Sequence, residues 1–192
     1  MPSISLTTWR TIRSQSLGRV ELAHRAITAN ARGHQDATRQ LNQAYALLLA
    51  AEFQGFCREL HTEAVGHLVA IVPPSLQQIV RSEFAWSRGL DRGNANSMTL
   101  GTDFRRLGID LWKAVDAAEP RGPDFRRRLE ELNAWRNAIA HSDFDAARLG
   151  GRITLAVATV RRWRRTLQLL AATLDLVVAD HIRDVTGNRP WT

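Results

Sequence analysis

The sequence predicts an all-α protein, a helical bundle with two long helices and several shorter ones. Three observations carry that expectation. Apolar residues recur at steps of three and four through Ala37–Ile71 and again through Val157–Ile182; proline and glycine clusters fall between such stretches; and the one β-branched run merges into a longer helical period. The 192 residues suffice for one sizeable core, and 44% hydrophobic with 23% charged side chains excludes general disorder and fibrous or collagen-like architecture. No unit of about 20 to 50 residues repeats.

Residues 18–32 read as a first, weakly amphipathic helix ended by Gly33, with Asp36 placed to start the next. From Ala37 to Ile71, the series Leu41, Tyr45, Leu48, Leu49, Phe53, Phe56, Leu60, Ala64 and Leu68 makes one long, deeply packed helix. Pro73-Pro74 ends it, because proline lacks an amide N–H and turns the preceding residue away from helical geometry. Ser75 is placed to cap a shorter helix bearing Leu76, Ile79, Val80 and Phe84. Arg88 to Gly101, with three glycines and two asparagines, reads as a long surface loop that shapes access to a site. Residues 103–118 read as two short helices divided at Gly108, and Pro120 and Pro123 bracket the next turn. Asp124 is placed as N-cap of a helix through Phe125, Leu129, Leu132, Arg136 and Ile139 that ends near His141 to Asp143. Gly150-Gly151 is a further break. Ile153 to Val160 has strand-like composition, but Val157, Val160, Trp163, Leu167, Leu170, Leu174, Val177, Val178 and Ile182 hold the helical period. Thr154 is placed to cap this last helix and Gly187 to stop it, leaving Pro190-Trp191 in a tail. Residues 1–35 form an N-terminal helical extension and 36–192 the main helical domain, in a single folded unit.

Basic residues number 26 against 19 acidic ones, for a formal charge of +7, and all but Lys113 are arginine. Clustered guanidinium groups favour a polyanionic partner, but an arginine bias also arises from composition alone, with the charges merely solvating helix faces. Apolar runs fall short of the roughly 20 residues that cross a bilayer, so no membrane partner is expected. Cys57 is the lone cysteine and has no intrachain disulfide partner; with no leader-like opening, a cytoplasmic location is expected.

The most informative stretch is Trp135-Arg136-Asn137-Ala138-Ile139-Ala140-His141. On an ideal helix Asn137 and His141 are about 400° apart and share a face, whereas Arg136 lies about 140° from His141 around the axis. Arg136 therefore joins His141 only if the helix end unwinds near Ser142 or a second copy supplies the opposing face. Histidine moves protons near neutral pH and arginine holds a phosphate and its developing charge, which suits phosphoryl chemistry on RNA. The plainer alternative pairs Arg136 with Glu52 or Glu131 and leaves His141 to cap the helix end.

The run Arg136-Asn137-Ala138-Ile139-Ala140-His141 resembles the signature of the HEPN superfamily: arginine, a polar residue, three more residues and histidine closing a bundle helix. The segment Leu41 to Glu63, the stretch Leu107-Gly108-Ile109-Asp110-Leu111-Trp112 and the closing Thr154 to Trp191 are similar in pattern to the RiboL-PSP branch, so the resemblance covers roughly residues 36 to 191. It implies a HEPN-like bundle, a symmetric homodimer with two motifs facing across a cleft, and often a metal-independent endoribonuclease in a toxin or antiviral-defence setting, with an antitoxin or defence partner. Carried over, His141 is the acid/base group, Arg136 binds the scissile phosphate, Asn137 orients the histidine or the phosphate, and Glu52 helps position Arg136. The product is a 2′,3′-cyclic phosphate, since the ribose hydroxyl is an internal nucleophile that needs no metal-bound water. No cofactor and no metal is implied. In the branch of toxins silenced by nucleotidylation a tyrosine sits two positions after the histidine; here Asp143 stands there, followed by Phe144, which argues against that form of silencing. Many members have lost catalysis, so a noncatalytic module binding RNA, a nucleotide or a protein is the alternative, and a purely structural helical dimer is a third.

Arg126, Arg127 and Arg128 on the motif helix, and Arg161, Arg162 and Arg165 around Trp163, are candidate RNA contacts. The competing reading makes the first three a solvated face balanced by Glu130 and Glu131, and its spacing assigns Trp163 to the core. His61 and His67 flank Glu63 at a spacing that puts them on different faces, and His24, His34 and His181 show no ligand pattern. Cys57 reads as a small buried side chain. No phosphate loop, dinucleotide fingerprint or serine elbow is present.

Overall fold

A computed structural model describes residues 1–29 and 35–191. It is all-helical, with no strand among the described residues. The elements are α1 (Ile4–Thr8), a π turn (Trp9–Arg13), α2 (Ser14–Ala29), α3 (Gln35–Ala70), α4 (Pro74–Ala85), a 3₁₀ turn (Gly89–Asp91), α5 (Ser97–Arg105), α6 (Leu111–Ala118), α7 (Gly122–His141) and α8 (Val157–Thr186). The two long helices are α3 and α8, which pack on each other; α1, α2 and α7 also lie against α3, and α6 and α7 against α8. Tyr45, Phe53, Phe56 and Leu60 from α3 and Trp163, Leu167, Leu170 and Leu174 from α8 are buried in one core. Burying each such side chain contributes on the order of 2 kcal/mol.

The helical start differs from the sequence expectation. Helix begins at Ile4 and runs through the π turn into α2, so Leu6, Trp9 and Leu17 join the main core. Trp9 meets Phe53 edge-on with ring centroids 5.7 Å apart. The expected end at Gly33, and His34, lie outside the described residues. Ser3 caps α1 by accepting from Leu6 N, and Glu63 of α3 accepts from the backbone N–H groups of Ile4 and Ser5 at 3.0 and 3.1 Å. The orphan donors of this short helix are thereby satisfied, which explains Glu63 without any metal.

The π turn carries Arg13 into α3, where its guanidinium bridges Glu52 and Glu59 at 2.5 Å each. Burial disfavours the charge, but Glu52 and Glu59 outweigh it and raise the Arg13 pKa. The backbone of Gly55 makes room for this bridge: a Cβ there would come within 2.6 Å of the guanidinium.

The expected surface loop at Arg88–Gly101 is the largest correction. Leu90 and Leu100 are fully buried, and α5 already starts at Ser97, capped by the Asn96 side chain. The carboxylate of Asp103, itself 1% exposed, accepts from Gly89 N at 2.9 Å and Leu90 N at 2.8 Å, while Gln54 donates to Leu90 O. Asn133 of α7 donates to Ala95 O, and Glu130 accepts from the Ser97 amide. The segment is thus fastened to α3, α5 and α7. Gly101 lies within α5 beside the Trp112 indole, which a Cβ there would meet at 3.4 Å.

Other caps shift by two or three residues. Pro73 rather than Ser75 precedes α4, Arg121 rather than Asp124 precedes α7, and Ala156 rather than Thr154 precedes α8; Pro74 and Pro123 sit in the first turn, where a missing N–H costs nothing. Gly108 (φ +85°) divides α5 from α6, and Gly187 (φ +73°) stops α8, as expected.

His61, buried on α3, lies between two partners. Its Nε2 is 3.3 Å from Asp103 O and its Nδ1 3.4 Å from the Arg88 guanidinium, an arrangement that fits a neutral ring donating through Nε2 and accepting at Nδ1. Burial and the adjacent Arg88 charge lower its pKa to about 4. The unfolded chain, with a histidine pKa near 6.5, then binds more protons in this window, so stability is complete above about pH 6.5 and falls as pH drops toward 4. A loss of about 2 kcal/mol between pH 7.5 and 5 is expected, visible as a lower urea midpoint; His61→Gln should flatten that dependence.

Candidate active site

The last turn of α7 positions the motif. Ser142 adopts a left-handed conformation (φ 54°, ψ 30°), Asp143 N bonds to Ala138 O at 2.9 Å and Ser142 N to Ile139 O at 3.3 Å. This paired closure is a Schellman motif, so the helix stays wound through His141 instead of opening near Ser142. A non-glycine residue at positive φ is strained, so Ser142→Gly should raise stability by about 0.5–1 kcal/mol in a thermal melt; an unchanged or lower melting temperature would contradict this.

His141 is exposed and makes no hydrogen bond or ion pair among the described residues. It shares a cleft of about 240 Å³ with Asn137, one turn earlier on the same face, and with Asp143, Arg148 and Leu149. Arg136 is half-buried and does not line this cleft. Its guanidinium donates instead to Asn137 Oδ1 at 3.2 Å. The chain therefore brings Asn137 and His141 together and reaches Arg136 only through Asn137.

Two neighbours were not marked by the sequence. Asn94 donates to Asn137 Oδ1 at 2.8 Å, so that oxygen has two donors, which orient the Asn137 amide. Arg148, on the chain after α7, supplies the guanidinium that does line the His141 cleft, and is held by Asp143 at 3.3 Å and Asp145 at 3.4 Å. Neither lies in a spaced motif. Only the expectation that the 88–101 segment borders a site pointed toward Asn94.

Glu52 does not support Arg136. Its carboxylate is bound by Arg13, because the π turn delivers a closer cation. Glu131, the other acid considered for Arg136, accepts from Arg127, Arg128 and the Trp163 indole N–H. Burial raises its pKa, but those donors outweigh it and hold the carboxyl below its usual range.

The arginine candidates divide. Arg126 pairs with Asp116 at 2.6 Å, Arg127 with Asp124 and Glu131, and Arg128 with Glu131 at 2.9 Å. Arg161 and Arg164 both bind Glu21, at 2.9 and 3.3 Å, tying α8 to α2. Arg162 and Arg165 are exposed and have no partner among the described residues. Trp163 is 1% exposed and belongs to the core.

The remaining nucleophile and ligand candidates are structural. Cys57 is buried, which pushes its thiol pKa up and disfavours the reactive thiolate. His67 stacks edge-on against Trp191, and His181 lies 2.8 Å from Leu107 O. Among the described residues no three His, Cys, Asp or Glu side chains gather as a metal site requires, and no helix is long and apolar enough to cross a membrane. No protein-family model, curated protein or solved structure matches the chain.

Proposed function

We propose that the protein is a metal-independent endoribonuclease of the HEPN type, cleaving RNA through His141, Arg136 and Asn137 at the end of α7. The observation that carries this reading is an exposed histidine with no partner among the described residues, on one helix face with Asn137 and beside a cleft bearing a guanidinium. A proton-transfer group must remain open to substrate, as the exposed His141 does.

In the proposed reaction, a base removes the proton from a ribose 2′-hydroxyl, the oxygen attacks the adjacent phosphorus, and the 5′-oxygen of the next nucleotide leaves with a proton. His141 carries one of these protons. Arg136 stabilises charge on the non-bridging oxygens, and Asn137 holds the phosphate or the imidazole in place. Since Arg136 stands apart from the His141 cleft, the reading places two copies of the chain face to face, each contributing to a shared cleft. A toxin or antiviral-defence role, with an antitoxin or defence partner, follows from the HEPN resemblance alone.

The test is cleavage of labelled total and structured RNAs by the purified protein in excess EDTA. Strand scission at low salt that weakens as salt rises is the expected result. RNA binding without scission across the panel would instead make the chain a noncatalytic binding module.

A further inference from the structure

Next to the His141 cleft lies a larger cavity of about 460 Å³, between α7, the first turns of α8 and the chain that joins them. Trp135 and Leu155 contribute to its apolar wall, Thr159 adds a hydroxyl, and Arg128, Arg148, Arg152 and Arg162 bring four guanidinium groups, that of Arg128 paired with Glu131. The two spaces are adjacent: Ala134, Arg148 and Leu149 line both. Arg148 is spoken for by Asp143 and Asp145, but Arg152 and Arg162 are exposed and have no internal counter-charge among the described residues. Arg126, Arg128 and Arg161 nearby are neutralised by acids, whereas two cations without an acid partner among the described residues meet at this cavity.

We propose that this cavity is a subsite for a phosphorylated nucleoside, the nucleotide next to the scissile phosphate when RNA is bound. The inference rests on the ribonuclease reading for its place in the reaction, and on the cavity alone for its ligand chemistry. Its volume lies within the range that encloses small ligands. An apolar wall suits a base or ribose face, and Arg152 and Arg162 suit phosphate oxygens, which planar guanidinium groups bind through paired donors. Arg148, at the boundary, is placed to touch the phosphate that passes from one space to the other. The carboxylate of Glu131 also lines the cavity but is already saturated by Arg127, Arg128 and Trp163, so it leaves little repulsion and no free acceptor for reading a base.

The experiment is binding of a fluorescein-labelled mixed-sequence decaribonucleotide, read by anisotropy in EDTA across a salt series, using His141→Ala as the parent so that no strand is cut. Adding Arg152→Ala and Arg162→Ala together should weaken binding about tenfold and make the log K against log salt slope shallower by about 1.4, the equivalent of two phosphate contacts on a single strand. Thr159→Phe, which keeps every charge and fills the cavity, should also weaken binding. Arg19→Ala with Arg105→Ala removes the same charge elsewhere and should change little. Competition by AMP that disappears in the double variant shows that a single nucleotide occupies the cavity; no competition, with the other effects intact, assigns it to the RNA chain. Equal losses from the two arginine pairs, or full affinity in both the double variant and Thr159→Phe, would overturn the subsite. Scission by the unmodified protein decides the ribonuclease reading separately, since binding here is measured without it.

Discussion

His141→Ala should, on the proposed ribonuclease reading, reduce RNA cleavage by about 10³-fold while leaving the fold intact. The size follows from losing a group that moves a proton in the transition state, which is worth roughly 10²- to 10⁴-fold. The intact fold follows from exposure and the absence of any hydrogen bond at this side chain among the described residues, since such surface positions shift stability by no more than about 0.5 kcal/mol. The same pair of readouts separates catalysis from capping, because a helix-capping histidine would cost stability and leave cleavage alone. Arg136→Ala should lose about 10²- to 10³-fold, and Arg136→Lys should recover little, because a compact ammonium cannot reproduce paired guanidinium donors. The double variant should be scarcely worse than His141→Ala, as expected for groups acting as a unit. Wild-type rates in His141→Ala would remove this histidine from the reaction.

Asp103→Ala should lower stability by about 3 kcal/mol, a larger effect than any single substitution at the motif. Its buried carboxylate satisfies the amides of Gly89 and Leu90, and each buried donor left without a partner costs about 1–3 kcal/mol. Asp103→Asn retains one acceptor oxygen and should recover part of the loss. The damage should spread to activity, because the same segment carries Asn94, which holds Asn137. Urea unfolding and amide exchange at Gly89 and Leu90 measure it; unchanged protection at those two amides would show that the carboxylate does not pin the segment.

The long helices were legible because period alone determines which face is buried. In α3 and α8 the apolar series Leu49, Phe53, Phe56, Leu60 and Val160, Trp163, Leu167, Leu170 are the residues that the core contains. The start of the chain was not legible for a specific reason. The π turn at Trp9–Arg13 inserts extra residue per turn between Trp9 and Leu17, so their spacing matches no regular helical stripe. The segment around Gly89–Ser97 failed differently: its polar residues look like a loop, but their acceptors are Asp103, Glu130 and the backbone, distant in sequence.

At the site, local spacing was informative and long-range pairing was not. The step from Asn137 to His141 placed both on one cleft, and Arg136 stayed off that face as its angle requires. Trp163 fell in the core by the same logic. Runs of arginine gave no such guide, because whether a cation is free depends on acids brought in by other helices, such as Glu21 for Arg161 and Asp116 for Arg126. Arg148 became a cleft residue only through the turn that follows the Schellman closure of α7.

The decisive measurement is whether the unmodified protein cuts RNA in excess EDTA and, where it does, which ends the fragments carry. In-line attack by the ribose hydroxyl, with His141 moving protons, predicts 2′,3′-cyclic phosphate on one fragment and a free 5′-hydroxyl on the other. Fragments carrying 3′-hydroxyl and 5′-phosphate ends would mean that water is the nucleophile, and would contradict the mechanism assigned to the end of α7.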